Sequence, residues 1–160
     1  TSETTPGKAV DGDDSRHFPD IFHSAGPGLE WWSVELEREV SSPTVRLMMR
    51  DCCMDNSPTL MVYMAASAVT AEGATAATDA VSSGAAAASG VTTSVFGGLC
   101  GSLSNQMAGG TYDVSCSAAP AGKWVSVLTQ GFLQLAEVQV FVSGSDRFAR
   151  AQGGGPGGGH

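Results

Sequence analysis

Trp31-Trp32-Ser33-Val34-Glu35-Leu36 is the stretch that decides the fold class of this chain. Trp32, Val34 and Leu36 fall on one side of an extended backbone, and Ser33, Glu35 and Glu37 fall on the other. Successive side chains of a strand point to opposite faces, so this period-two pattern predicts a half-buried β-strand. The pattern recurs from Thr44 to Arg50, where Val45, Leu47 and Met49 oppose Arg46, Met48 and Arg50. It recurs again from Leu133 to Val142, with Ala136, Val138, Val140 and Val142 on one face and Leu135, Glu137, Gln139 and Phe141 on the other. Leu60 to Met64, Val95 to Cys100, Thr111 to Cys116 and Trp124 to Leu128 are shorter strand candidates. Breakers such as Asp55-Asn56-Ser57-Pro58 and Pro120-Ala121-Gly122 stand between them. Short strands separated by Gly/Pro turns predict an all-β sandwich.

Three segments fall outside this pattern. Residues 1–8 are polar and read as a lead-in. Ala65 to Thr93 is rich in Ala, Ser, Thr and Gly and holds no aromatic residue. Alanine favours helix, but Gly73, Gly84 and Gly90 interrupt the run and large apolar anchors are few. The expectation is an exposed surface insertion, which costs little in loop-closure entropy; a short helix between Ala71 and Ala88 is the alternative. Residues 145–160 end in a glycine run broken by Pro156 and read as a linker or tail. Residues 9–144 are then the domain.

Composition narrows the function. Sixteen acidic residues against eight basic give a net charge of −8 without a basic stripe. Such a surface suits neither nucleic acid nor an anionic membrane. No run of eighteen apolar residues would insert into a bilayer. Glu3, Asp11, Asp13, Asp14 and Asp20 crowd the first twenty residues, where a cation would use them. The sequence starts at Thr1 without a leader, which reads as a mature product or a piece of a longer protein. The four cysteines, Cys52, Cys53, Cys100 and Cys116, fit two disulfides in an oxidising compartment. Reduced thiols and a zinc site are the alternatives, the latter disfavoured because adjacent cysteines rarely both reach one tetrahedral ion. No Gly-x-Ser-x-Gly elbow or His-Glu-x-x-His occurs, and no nucleophile–base pair has a motif behind it, so an enzyme is not expected.

Several pieces in order resemble the fucolectins, or F-type lectins, a branch of the discoidin-like (coagulation factor 5/8 C-terminal) domains. They are Ala9-Val10-Asp11-Gly12, His23 eight residues before Trp31, and Asp51-Cys52-Cys53 nineteen residues after Trp32. The closing pair Gly122-Lys123-Trp124-Val125-Ser126-Val127 and Leu133 to Val140 completes the set. The resemblance implies a discoidin-like jelly-roll β-sandwich of about eight antiparallel strands. It also implies a Cys100–Cys116 disulfide, a vicinal Cys52–Cys53 disulfide, and sugar contacts from His23 and Arg50 beside that cysteine plate. A structural calcium ion is implied as well, held by the carbonyls of Lys8, Asp20 and Ala136 and the carboxylates of Asp11, Asp13 and Glu137. Calcium takes six to eight oxygens at roughly 2.3–2.6 Å, which this set supplies.

The sequence departs from the family in three places. Met49 occupies the position two before Asp51 where the family has an arginine, so Arg50 would replace it. Met54, Asp55, Asn56 and Ser57 stand where a second basic residue follows the cysteines. A further family disulfide would fall at about Phe22 and Ala136, and neither is cysteine. The expected function is an extracellular carbohydrate-binding module with glycans or glycoproteins as partners, within a larger secreted or cell-surface protein. The alternative is a structural or adhesive module of such an assembly in which the sugar site is degenerate.

Overall fold

The computed structural model describes residues 22–23, 29–50, 59–84, 88–130, 133–142 and 154–156. Its elements in chain order are β1 (Phe22–His23), β2 (Leu29–Val40), β3 (Thr44–Met49), β4 (Leu60–Ala65), α1 (Ala71–Ser82) and α2 (Ala88–Phe96). Then come β5 (Gly98–Leu103), β6 (Thr111–Ser115), β7 (Gly122–Gln130), β8 (Gln134–Phe141) and β9 (Gly154–Pro156). The strands form two sheets, ordered β1-β8-β3-β6 and β5-β4-β7-β2-β9. Every pairing within them is antiparallel. This is the all-β sandwich the alternation predicts.

The core is built from the faces read off the sequence. Trp32, Val34 and Leu36 of β2 meet Val45, Leu47 and Met49 of β3, Val62 and Met64 of β4, and Val125 and Val127 of β7. The last long strand departs from its simple alternation. Met48 pairs with Glu137 but Met49 pairs with Leu135, so Ala136 is an extra residue. A β-bulge of this kind shifts the facing of everything on one side of it. Leu135, expected opposite Val138 and Val140, therefore joins them in the core.

The Ala65–Thr93 expectation is corrected. The segment is not an exposed loop: α1 is the short helix of the alternative reading between Ala71 and Ala88, most of α2 follows, and these cover the outer face of the five-stranded sheet. Thr70 caps α1 by accepting from Gly73 N–H at 3.1 Å, and Glu72 lies in the first turn, where the helix dipole favours it. Ala74, Ala77 and Thr78 are buried at helical spacing, with Val81 half-buried one turn on. From α2, Phe96 enters a second core beside Trp31 and Tyr63, with ring centroids 6.1 and 6.3 Å away. The Tyr63 hydroxyl donates to Thr92 Oγ1 at 3.1 Å. The outward face of β2 records how far this cover extends: Leu29, Trp31 and Ser33 are buried, whereas Glu37 and Glu39 are exposed. Ser33 spends its hydroxyl on Ser126 Oγ at 2.8 Å. Among the described residues no helix is long and apolar enough to cross a membrane.

Gly97 makes the short turn from α2 into β5 possible. Its φ of +92° is a left-handed conformation, and a Cβ there would collide with the Met64 carbonyl oxygen. Strand β5 is an edge of one sheet and β6 an edge of the other. The Cys100–Cys116 disulfide joins β5 to the residue after β6, closing that side of the sandwich. On the outer face of the four-stranded sheet Arg46 pairs with Asp113 at 2.8 Å and lies over the Phe141 ring at 4.8 Å. The hydrogen bond from Arg46 holds the Asp113 carboxyl below the usual carboxylate range.

Within residues 145–160, read as a linker or tail outside the core, Gly154–Pro156 pairs with Trp32–Val34 along the edge of β2.

Candidate functional site

The four-stranded sheet brings two of the four expected sugar-binding residues, His23 and Arg50, to one end. His23 ends β1 and pairs in register with Gln134, the first residue of β8. Met49 ends β3 and pairs with Leu135, so Arg50 leaves β3 beside Gln134. The Arg50 guanidinium donates from Nη1 to Gln134 Oε1 at 2.5 Å. With Leu135 turned into the core, Gln134 falls on the other face, on the side of Arg50. Three adjacent strands thus line up His23, Gln134 and Arg50, two of them far from the third in sequence. Arg50 is half-buried, where a charge-assisted hydrogen bond is worth more than on an open surface.

Gln134 was not singled out from the sequence. A glutamine opening a strand carries no motif; only its register opposite His23 and its bond to Arg50 mark it. Cys52 and Cys53 lie outside the described residues, as does Asp51. The stems of their loop are described and both are tied to the segment before β6. Gly109 N–H donates to the Arg50 carbonyl at 2.7 Å, and the Thr59 and Ser104 hydroxyls share a hydrogen bond at 3.1 Å. Met49 N–H donates to the Gly110 carbonyl at 2.9 Å. The positions of the absent family disulfide are close in space: Phe22 is the register partner of Leu135, next to Ala136.

Of the expected cation ligands, Lys8, Asp11, Asp13 and Asp20 lie outside the described residues. Ala136 and Glu137 form the β8 bulge. Glu137 faces away from the sandwich core yet is only 2 % exposed. An interior carboxylate is costly unless a counter-charge or hydrogen bonds meet it. A bulge also leaves its extra residue outside the strand ladder, here Ala136. A carboxylate and a backbone carbonyl side by side, both of hard oxygen chemistry, fit a calcium ion.

No protein-family model and no curated protein matches the sequence. Solved structures do match. A fucolectin from striped bass (Morone saxatilis) serum is 16% identical with a TM-score of 0.63, covering 88% of this chain and 42% of that one. The lectin domain of lectinolysin, solved with Lewis B antigen, is 20% identical with a TM-score of 0.57, covering 86% of this chain and 84% of that one. A Streptococcus pneumoniae fucose-binding module is 14% identical with a TM-score of 0.54, covering 86% and 84%. This chain spans less than half of the striped bass protein. At these identities the likeness establishes the fold, which is that of the F-type lectins.

Proposed function

We propose that this F-type-lectin fold carries a glycan-binding site at the end of the four-stranded sheet, formed by His23, Gln134 and Arg50, with Cys52 and Cys53 as the further contacts the resemblance implies. The observation that carries the reading is the Arg50–Gln134 hydrogen bond, opposite His23 in register. It makes a charged donor and an amide converge where a sugar's ring hydroxyls need both. A comparison structure described as a fucose-binding module and another complexed with Lewis B support a fucosylated ligand. The module is a binder and not a catalyst in this reading. The Cys100–Cys116 disulfide supports a secreted or cell-surface setting.

The test is titration of L-fucose into wild type, Arg50→Ala and Gln134→Ala. Arg50→Ala is expected to weaken binding about ten- to hundredfold, the worth of a hydrogen bond to a charged group. Absence of binding by wild type to every fucoside of a glycan array would support the alternative, a structural or adhesive module. Met54, Asp55, Asn56 and Ser57, standing where the family has a second basic residue, are what favours that alternative.

Glu137 supports a structural calcium ion in the same fold, held with Asp11, Asp13 and the carbonyls of Lys8, Asp20 and Ala136. Binding by the folded state alone stabilises by about 2.7 kcal/mol at a hundredfold excess over Kd. For a chain of this size millimolar calcium is expected to raise Tm by roughly 5–10 °C over chelator. Glu137→Gln should remove most of that shift. Equal wild-type melting temperatures with calcium and with chelator would refute the ion.

A further inference from the structure

We propose that Met107 is the contact for the second sugar of an oligosaccharide whose terminal residue sits on Arg50 and Gln134. The proposal rests on the glycan site above and extends it across the sheet end. The order β1-β8-β3-β6 places His23, Gln134 and Arg50 on three neighbouring columns, and the segment from Ser104 to Gly110 leads into the fourth. Neighbouring strands are about 4.8 Å apart, so the four columns span roughly 14 Å, wider than one pyranose ring. Gln134 meets Arg50 from one side of β3, and the 104–110 segment flanks it from the other.

That segment is fastened to both stems of the cysteine loop, through Gly109 to Arg50 and through Ser104 to Thr59. Met107 sits between these ties with both of its backbone polar groups engaged. Its N–H donates to the Tyr112 hydroxyl at 2.7 Å, and its carbonyl accepts from Gly110 N–H at 3.0 Å. Gln106 beside it is buried and donates to the Leu103 carbonyl at 2.8 Å. The side chain of Met107 is nevertheless 72% exposed, the most exposed large hydrophobic among the described residues. One residue, Ala108, separates it from Gly109, so its Cα lies within about 8 Å of the group bonded to the Arg50 carbonyl. A flexible, polarizable thioether on a rigid turn is a ready apolar partner for the C–H face of a sugar ring. A solitary exposed apolar side chain needs no function of its own; its place on a segment hydrogen-bonded to the Arg50 backbone is what gives this one a role in the proposal.

The experiment titrates L-fucose and the Lewis B oligosaccharide separately into the full chain, as wild type, Met107→Ala and Arg50→Ala. In Met107→Ala the ratio of oligosaccharide to monosaccharide affinity should fall about three- to tenfold, the order expected for one partly buried apolar side chain. Methyl-13C-methionine spectra give a second readout: the Met107 resonance, assigned by its loss in Met107→Ala, should move with the oligosaccharide and stay with fucose. An unchanged ratio together with a stationary resonance would overturn the Met107 proposal while leaving the glycan site intact. Equal binding by wild type and Arg50→Ala, or no binding by wild type, would instead overturn the site and the second contact with it.

Discussion

Phe96→Ala is expected to cost about 3–5 kcal/mol and to lower Tm by roughly 10 °C or more, although Phe96 lies at the end of a segment that reads as low-complexity. Phe96 is fully buried and is the largest side chain that the helical layer lays on the five-stranded sheet. It touches rings from two different strands, Trp31 of β2 and Tyr63 of β4, so its loss opens a cavity that neither ring can close alone. The substitution also frees α2, whose other deep anchor among the side chains described is Thr92. Chemical denaturation of wild type, Phe96→Ala and the exposed-site control Thr75→Ala measures this. The control should stay within about 0.5 kcal/mol of wild type, as surface changes usually do. If Phe96→Ala matched the control, the helices would not be packed on the sheet.

Joint replacement of Cys100 and Cys116 by serine is expected to cost about 2–5 kcal/mol. The bridge closes a loop of sixteen residues' separation and joins edge strands of the two sheets. Without it the unfolded chain regains the freedom of that loop, and the side of the sandwich loses its one covalent tie among the described residues. Cys116 is also fully buried, so a serine there must find a hydrogen-bond partner or bear a desolvation cost. Reduction of wild type should reproduce most of the loss. A Tm within 1–2 °C of wild type for the double variant would mean that packing alone holds this side.

The alternation of Trp32, Val34 and Leu36 with polar neighbours, repeated on β3, was enough to determine a sandwich and to name about a third of its core. One buried face against one exposed face leaves that imprint on any strand. The bulge at Ala136 left none, because an extra residue changes facing without changing composition; the placement of Leu135 and the approach of Gln134 to Arg50 depend on it. The helical layer was hidden for a different reason. The residues α1 buries are small, Ala74, Ala77 and Thr78, and small residues at helical spacing look like filler until a surface is there to receive them.

The candidate site divides the same way. The chain's resemblance to the F-type lectins made the sequence point to His23, Arg50, Glu137 and the cysteines as candidate site residues. Only the tertiary structure decided that His23, Gln134 and Arg50 meet at the ends of adjacent strands, that Glu137 is interior, and that the segment carrying Met107 is tied to the Arg50 backbone through Gly109. Those are relations between strands distant in sequence. Backbone register sets them, and register comes from the packing of the whole sheet against its core.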